Sequence, residues 1–149
     1  MPRMTSSTVI GSGFVWRANK AALIQSPTGV ALASNGTLYV AETVSDRITK
    51  IPNARTRTTP VADGTSTLSS GGGLNGPLGL VLAPNGDVIA LNGNDGNAVE
   101  ISPQGKQVAK VTLVANGAGD LFGAAIEPGG HGLLFVNDGT NAIDVASIR

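Results

Sequence analysis

The sequence predicts an all-β protein: a β-propeller of four-stranded blades, with three blades in the chain, half of a six-bladed ring. Three observations carry this. In PLGLVLAPNGDVIALN, from Pro77 to Asn92, an apolar run, the pair Asn85-Gly86 and a returning apolar run follow the order of a β-hairpin. The same unit occurs as PTGVALASNGTLYVAE from Pro27 to Glu42 and, more loosely, as LFGAAIEPGGHGLLFVN from Leu121 to Asn137. Gly29, Gly79 and Gly123, one in each inner strand, stand 50 and 44 residues apart. That matches the period of about 40 to 50 residues of four-stranded propeller blades.

Composition agrees with this class. The 149 residues suffice for one domain with a real core and are few for two. Twenty-one glycines suit short strands joined by tight turns, and no long segment carries the 3.6-residue apolar period of a helix. Ten basic residues balance ten acidic ones, which leaves no electrostatic footprint for nucleic acid or an anionic membrane surface. The lack of cysteine removes disulfides, thiolate metal sites and a cysteine nucleophile together. MPRMTSSTVIGSG has no sustained apolar core, and no run of about 18 apolar residues occurs, so a soluble chain without signal peptide or membrane span is expected.

Taken in order, residues 1–26 form an N-terminal strand and connection. Residues 1–6 read as a disordered start, Thr8 to Phe14 as a short strand without a nearby partner, and Trp16 to Ile24 as a loop. Residues 27–149 hold the blades. The first (27–74) has strands Gly29 to Ala33, Leu38 to Ala41 and Ile48 to Ile51. Thr56 to Ala62 is its fourth strand, and Thr65 to Gly73 reads as a flexible surface connection. The second (75–119) has Leu78 to Leu82, Val88 to Leu91, Ala98 to Ile101 and Gln107 to Val114, with turns at NGNDGN and PQG. The third (120–149) has Phe122 to Ile126, Leu133 to Val136 and Ala142 to Ala146, and no fourth strand. A glycine in each inner strand fits blades that converge on an axis and leave little room for side chains there.

PTGVALASNGTLYVAETVSDRITKI, from Pro27 to Ile51, resembles an NHL repeat. Pro27, Gly29, Val30, Ala31, Gly36, Leu38, Tyr39, Val40, Ala41, Arg47 and Ile48 match its pattern, while Glu42 replaces the usual Asp and Ser45 the usual Asn. Pro77 to Ile101 and Leu121 to Val145 are weaker matches. The resemblance implies a propeller, commonly of six blades, and no particular activity, since NHL-like propellers include protein-binding, RNA-binding and scaffold modules as well as lyases and lactonase-like enzymes. Three blades do not close a ring, because propellers run from about four to eight. A head-to-tail homodimer is therefore expected, with the strand Thr8 to Phe14 exchanged to complete the last blade of the second copy; the alternative is that the chain is a C-terminal fragment of a longer propeller.

Ligands of a propeller are expected where the loops after the second strands gather around the channel, here ETVSDR, NGNDGN and NDGTNA. Aligning LYVAE, VIALN and LLFVN places Glu42, Asn92 and Asn137 in equivalent positions, with Asp46, Arg47, Asp95 and Asp138 beside them. Gluconolactonase-like propellers, similar in architecture, hold a divalent cation near the axis with carboxylate and Asn oxygens. Glu42, Asn92 and Asn137 are thus the candidate ligands for Ca²⁺ or another divalent cation, which wants about six to eight oxygens. The alternative is that Asn and Asp stand there to make tight turns. Arg47 is expected to brace its loop through carbonyls.

Other chemistry finds no support. His131, the only histidine, sits in a turn on the opposite face, and no G-x-S-x-G elbow activates a serine. NGNDGN lacks the spaced acidic ligands of an EF-hand, and GGGLNG lacks the Lys-Ser/Thr of a phosphate loop. Asn35-Gly36-Thr37 is the hairpin turn as well as a glycosylation sequon. Trp16, Tyr39, Phe14, Phe122 and Phe135 are the only aromatics, too few and too scattered for a stacking platform. The expected function is a binding or scaffold module without a cofactor, leaning away from an enzyme; the rival is a metal-assisted lyase or lactonase at the channel mouth.

Overall fold

A computed structural model of the chain describes residues 6–20, 23–63 and 66–148. Most of the expected disordered start, residues 1–5, lies outside the described residues. The strands are β1 (Gly11–Ser12), β2 (Arg17–Asn19), β3 (Leu23–Gln25), β4 (Pro27–Leu32), β5 (Leu38–Glu42), β6 (Arg47–Ile51), β7 (Val61–Ala62), β8 (Thr67–Ser70), β9 (Pro77–Leu82), β10 (Val88–Asn92), β11 (Asn97–Ile101), β12 (Gln107–Thr112), β13 (Leu121–Ile126), β14 (Gly132–Asn137) and β15 (Ala142–Ser147). They pair as three antiparallel meanders: β4-β5-β6-β8, β9-β10-β11-β12 and β13-β14-β15. The third blade has no fourth strand among the described residues, as expected.

The hairpin turns are one device used three times. Ala33, Ala83 and Glu127 each donate an N–H to the residue that closes the turn and accept one from Gly36, Gly86 and Gly130. Those glycines have φ of 85°, 89° and 81°, while Asn35 and Asn85 stay at negative φ. Each turn is thus the longer kind that ends on a left-handed glycine. The asparagines act through their side chains: Asn35 Oδ1 accepts the Thr37 N–H and Asn85 Oδ1 the Asp87 N–H.

Three sequence expectations need correction. The fourth strand of the first blade is β8, inside the glycine- and serine-rich stretch, and not residues 56–62. One inward side chain, Leu68, 8% exposed, is enough to seat it, and composition hides a strand that needs so little. β2 and β3 pair antiparallel, Arg17 opposite Gln25, where a loop was expected. The N-terminal strand shortens to β1 and is not without a partner: it runs parallel to β7, with the Val61 N–H donating to Ile10 O and the Asp63 N–H to Ser12 O.

Blades pack face to face. Between the first and second lie Tyr39, Ala41, Ile48 and Leu68 against Leu80, Val88, Ala90, Val99 and Ile101. Between the second and third lie Ile89, Leu91 and Ala98 against Leu121, Leu133 and Phe135. The middle blade is therefore buried on both faces, and β10 is buried at every residue. The outer blades alternate: β4 and β15 each show every second residue to solvent.

Two glycines set the spacing of the inner strands. A Cβ at Gly29 would overlap the Leu78 carbonyl oxygen and stand 2.8 Å from the Leu80 nitrogen; one at Gly79 would overlap the Phe122 carbonyl oxygen. The convergence read from the sequence is thus a backbone-to-backbone approach between neighbouring blades.

Candidate functional site

The loops that follow β5, β10 and β14 come to one end of the blades. Each ends on a left-handed residue before the third strand: Asp46 (φ 48°), Gly96 (φ 69°) and Asn141 (φ 53°). Glu42, Asn92 and Asn137 are the last residues of their strands, equivalent as expected, and all are buried.

Their oxygens are differently engaged. Glu42 receives Arg47 Nε at 3.1 Å and Arg47 Nη2 at 2.5 Å, and also the Thr49 hydroxyl. Asn92 ties down the loop between the first two blades, its Oδ1 accepting the Asn75 N–H at 3.0 Å and its Nδ2 donating to Gly73 O at 2.8 Å. Asn137 Nδ2 donates to Asp144 Oδ2 at 2.8 Å, and its buried Oδ1 has no hydrogen-bond partner. One of the three positions thus offers a spare oxygen. No group of three or more His, Cys, Asp or Glu among the described residues could hold a metal ion. Among the described residues the three equivalent positions bring one unengaged buried side-chain oxygen, against the about six to eight oxygens a hard cation takes.

The neighbouring residues brace the same end. Asp46 Oδ1 accepts the Gly76 N–H at 2.5 Å and its carbonyl the Gly71 N–H. Arg47 braces through carboxylates and not through carbonyls: it bridges Glu42 and Asp63, and its pKa is raised, chiefly by the hydrogen bond to Glu42. Asp95 accepts the Asn97 N–H and lies 3.5 Å from Lys110 Nζ. Burial pushes the Asp95 carboxyl up, but hydrogen bonds from Asn97, Asn92 and Asn75 outweigh it and hold the pKa below the ordinary range. Asp138 is exposed.

A groove of about 950 Å³ runs along the inner strands β4, β9 and β13. Asp138 is the one sequence-predicted site residue on its wall, which otherwise presents Val30, Leu80 and Phe122 with the polar groups of Thr28, Thr43 and Asn94. Thr28 and Thr43 are joined at 3.1 Å, and both donate to carbonyls of β9: Thr43 Oγ1 to Pro77 O at 2.9 Å, Thr28 Oγ1 to Leu78 O at 3.0 Å. Sequence reasoning placed the site at the loops and missed this wall. Thr28, Val30, Leu80 and Phe122 flank the spaced glycines, which is the signal that could have found them.

No family model and no curated protein matches the sequence. Solved structures do. A putative 6-phosphogluconolactonase from Bacteroides uniformis is 18% identical, with a TM-score of 0.67 over 95% of this chain and 41% of that one. The calcium-binding protein regucalcin from Agrobacterium tumefaciens is 18% identical, with a TM-score of 0.58 over 85% of this chain and 44% of that one. Virginiamycin B lyase from Staphylococcus aureus is 16% identical, with a TM-score of 0.54 over 92% of this chain and 46% of that one. The fold is a β-propeller. At these identities the likeness is one of fold, and the chain spans less than half the length of each of the three. His131 is exposed in the turn between β13 and β14 of the third propeller blade, and no helix among the described residues is long and apolar enough to cross a membrane.

Proposed function

We propose that this chain is a binding or scaffold module of the NHL-like kind, which presents the wall of its half-channel to a ligand. The carrying observation is the division of labour at the blade ends. Glu42 and Asn92 stand where a channel-mouth metal would be held, yet their oxygens are taken by Arg47, Thr49 and the Asn75 amide. The unassigned polar and apolar groups lie instead along the groove, where Phe122, 45% exposed, sits near Thr28 and Asn94. An apolar wall with a few polar groups suits a small ligand or a peptide side chain.

Amide chemical-shift mapping with a library of small amphipathic compounds tests this. Shifts at Thr28, Leu80, Asn94 and Phe122 that disappear in Phe122→Ser support the reading. A groove that no compound perturbs sinks it.

The second reading is a metal-assisted lyase or lactonase at the channel mouth. It draws on the free Asn137 Oδ1 and on the fold shared with proteins described as regucalcin, lactonases and a lyase. Hydrolysis of a sugar lactone in the presence of Ca²⁺, Mn²⁺ or Zn²⁺, lost in Asn137→Ala, would favour it over binding.

A further inference from the structure

Three strands, β1, β2 and β3, stand ahead of the first blade, and the third blade is short of a fourth strand among the described residues. In this chain the fourth strand of a blade directly precedes the first strand of the next: β8 leads into β9, and β12 into β13. The segment ahead of β4 therefore has the chain position of a fourth strand belonging to a preceding blade; β3, the nearest strand, is paired with β2, and it is the stretch around β1 whose place fits. Its place in space agrees. Ile101 of β11 shares its apolar cluster with Leu68 of β8, the fourth strand of the blade before. Ile51 of β6 is the equivalent residue of the first blade, and there Gly11 and Phe14 take the part of β8: a Cβ at Gly11 would stand 2.7 Å from Ile51 Cδ1 and 3.1 Å from Phe14 Cζ.

The outer faces have matching vacancies. Ile48 and Ala98, which pack on the following blade, are 0% and 8% exposed, while the equivalent Ile143 of the third blade is 68% exposed and Val145 beside it 63%. On the other side, Leu80 is 7% exposed against the first blade, while the equivalent Val30 is 57% exposed. The glycine series stops in the same way. Gly29 and Gly79 each face a carbonyl of the next blade, Leu78 O and Phe122 O, but a Cβ at Gly123 meets only Val136 Cγ2, at 3.7 Å.

We propose that two copies of this chain close a six-bladed ring head to tail, the third blade of each packing on the first blade of the other, with residues 8–14 of each as the fourth strand along the other's β15. In that ring Gly123 faces the carbonyl of the second copy's Thr28, the residue equivalent to Leu78 and Phe122. The occupant is a second copy because the bare face of the third blade is the kind that this chain already packs twice, and the bare face of the first blade is its complement. Two copies give six blades, within the range of about four to eight that closes, and three copies would exceed it. Among the described residues β1 pairs on one edge, with β7, and β15 on one edge, with β14, which leaves an edge of each for the new pairing. Val9, 65% exposed, lies within the added strand and is then covered. This goes beyond the binding role and stands without it.

Light scattering and sedimentation over a range of concentrations test the ring. The expected mass is twice that of the 14.9 kDa chain. Gly123→Val fits the open space of the single chain but not the seam, so it weakens self-association by about tenfold to a hundredfold with an unchanged circular dichroism spectrum. The double substitution Ile143→Lys, Val145→Lys, at residues exposed in the single chain, gives folded monomer. Val9→Pro removes an amide on the free edge of the added strand and loosens the dimer by about tenfold. A folded wild-type monomer at all concentrations overturns the proposal. So does a dimer indifferent to Gly123→Val and to the lysine pair, and a dimer indifferent to Val9→Pro alone removes the strand exchange.

Discussion

The backbone of Gly79 in β9 runs so close to the Phe122 carbonyl oxygen of β13 that a side chain at position 79 has nowhere to go. The obstacle is backbone, not the tip of a mobile side chain, so neither strand yields without disturbing its own meander. Gly79→Ala is expected to destabilise the chain by about 1–3 kcal/mol through overpacking, measured as a lowered urea midpoint. Gly123→Ala is the matched control, expected within about 0.5 kcal/mol of wild type when the chain is kept dilute.

Glu42 and Arg47 form a buried ion pair whose two members are not equally replaceable. Arg47→Met leaves the carboxylate of Glu42, 2% exposed, with only the Thr49 hydroxyl, and should cost about 3–5 kcal/mol. Adding Glu42→Gln should restore much of that loss, because the stranded charge is gone; denaturant titration of the single and double variants reads both numbers. The raised Arg47 pKa means that its share of stability is present below the unfolded arginine value and is lost only as pH rises through the folded one, at extreme alkali. The pair should therefore contribute evenly across neutral pH.

Asp95 behaves in the opposite sense. Its folded pKa is depressed, so its contribution is present above the unfolded value of about 3.9 and is lost as pH falls through the folded one. Urea midpoints measured from about pH 2 to pH 6 should fall on the acid side in wild type and fall less in Asp95→Asn.

Asn92 holds the loop between the first two blades from both ends, at Gly73 and Asn75. Asn92→Ala should cost about 1–3 kcal/mol, because two part-buried backbone groups lose their partner and a buried side chain is truncated. Hydrogen exchange of the Asn75 amide should quicken well beyond the global change, and equal protection there would show that the loop does not depend on the tether.

The repeated hairpins were legible because Asn-Gly pairs and alternating apolar runs are local signals. The middle blade, whose strands are apolar on both faces, was placed within a residue or two along β9–β11. What misled was composition. TSTLSSGGG reads as linker, yet it holds β8, because a strand at the rim of a blade needs one buried apolar residue, Leu68, and takes its hydrogen bonds from β6. The N-terminal strand was expected to lack a partner, and its pairing with β7 joins residues about fifty apart, which no local pattern announces.

By itself the sequence determined the number of blades, the order of the first three strands within each, and the equivalence of Glu42, Asn92 and Asn137, because all of these follow from a unit repeated along the chain. The tertiary structure decided what those three residues do. Whether an oxygen at a blade end is free or spoken for depends on groups brought from elsewhere in the chain: Arg47 and Thr49 around Glu42, the Asn75 amide on Asn92. It also placed the groove, because a channel wall arises only where inner strands of different blades meet, at a separation fixed by glycine backbones in contact with carbonyl oxygens.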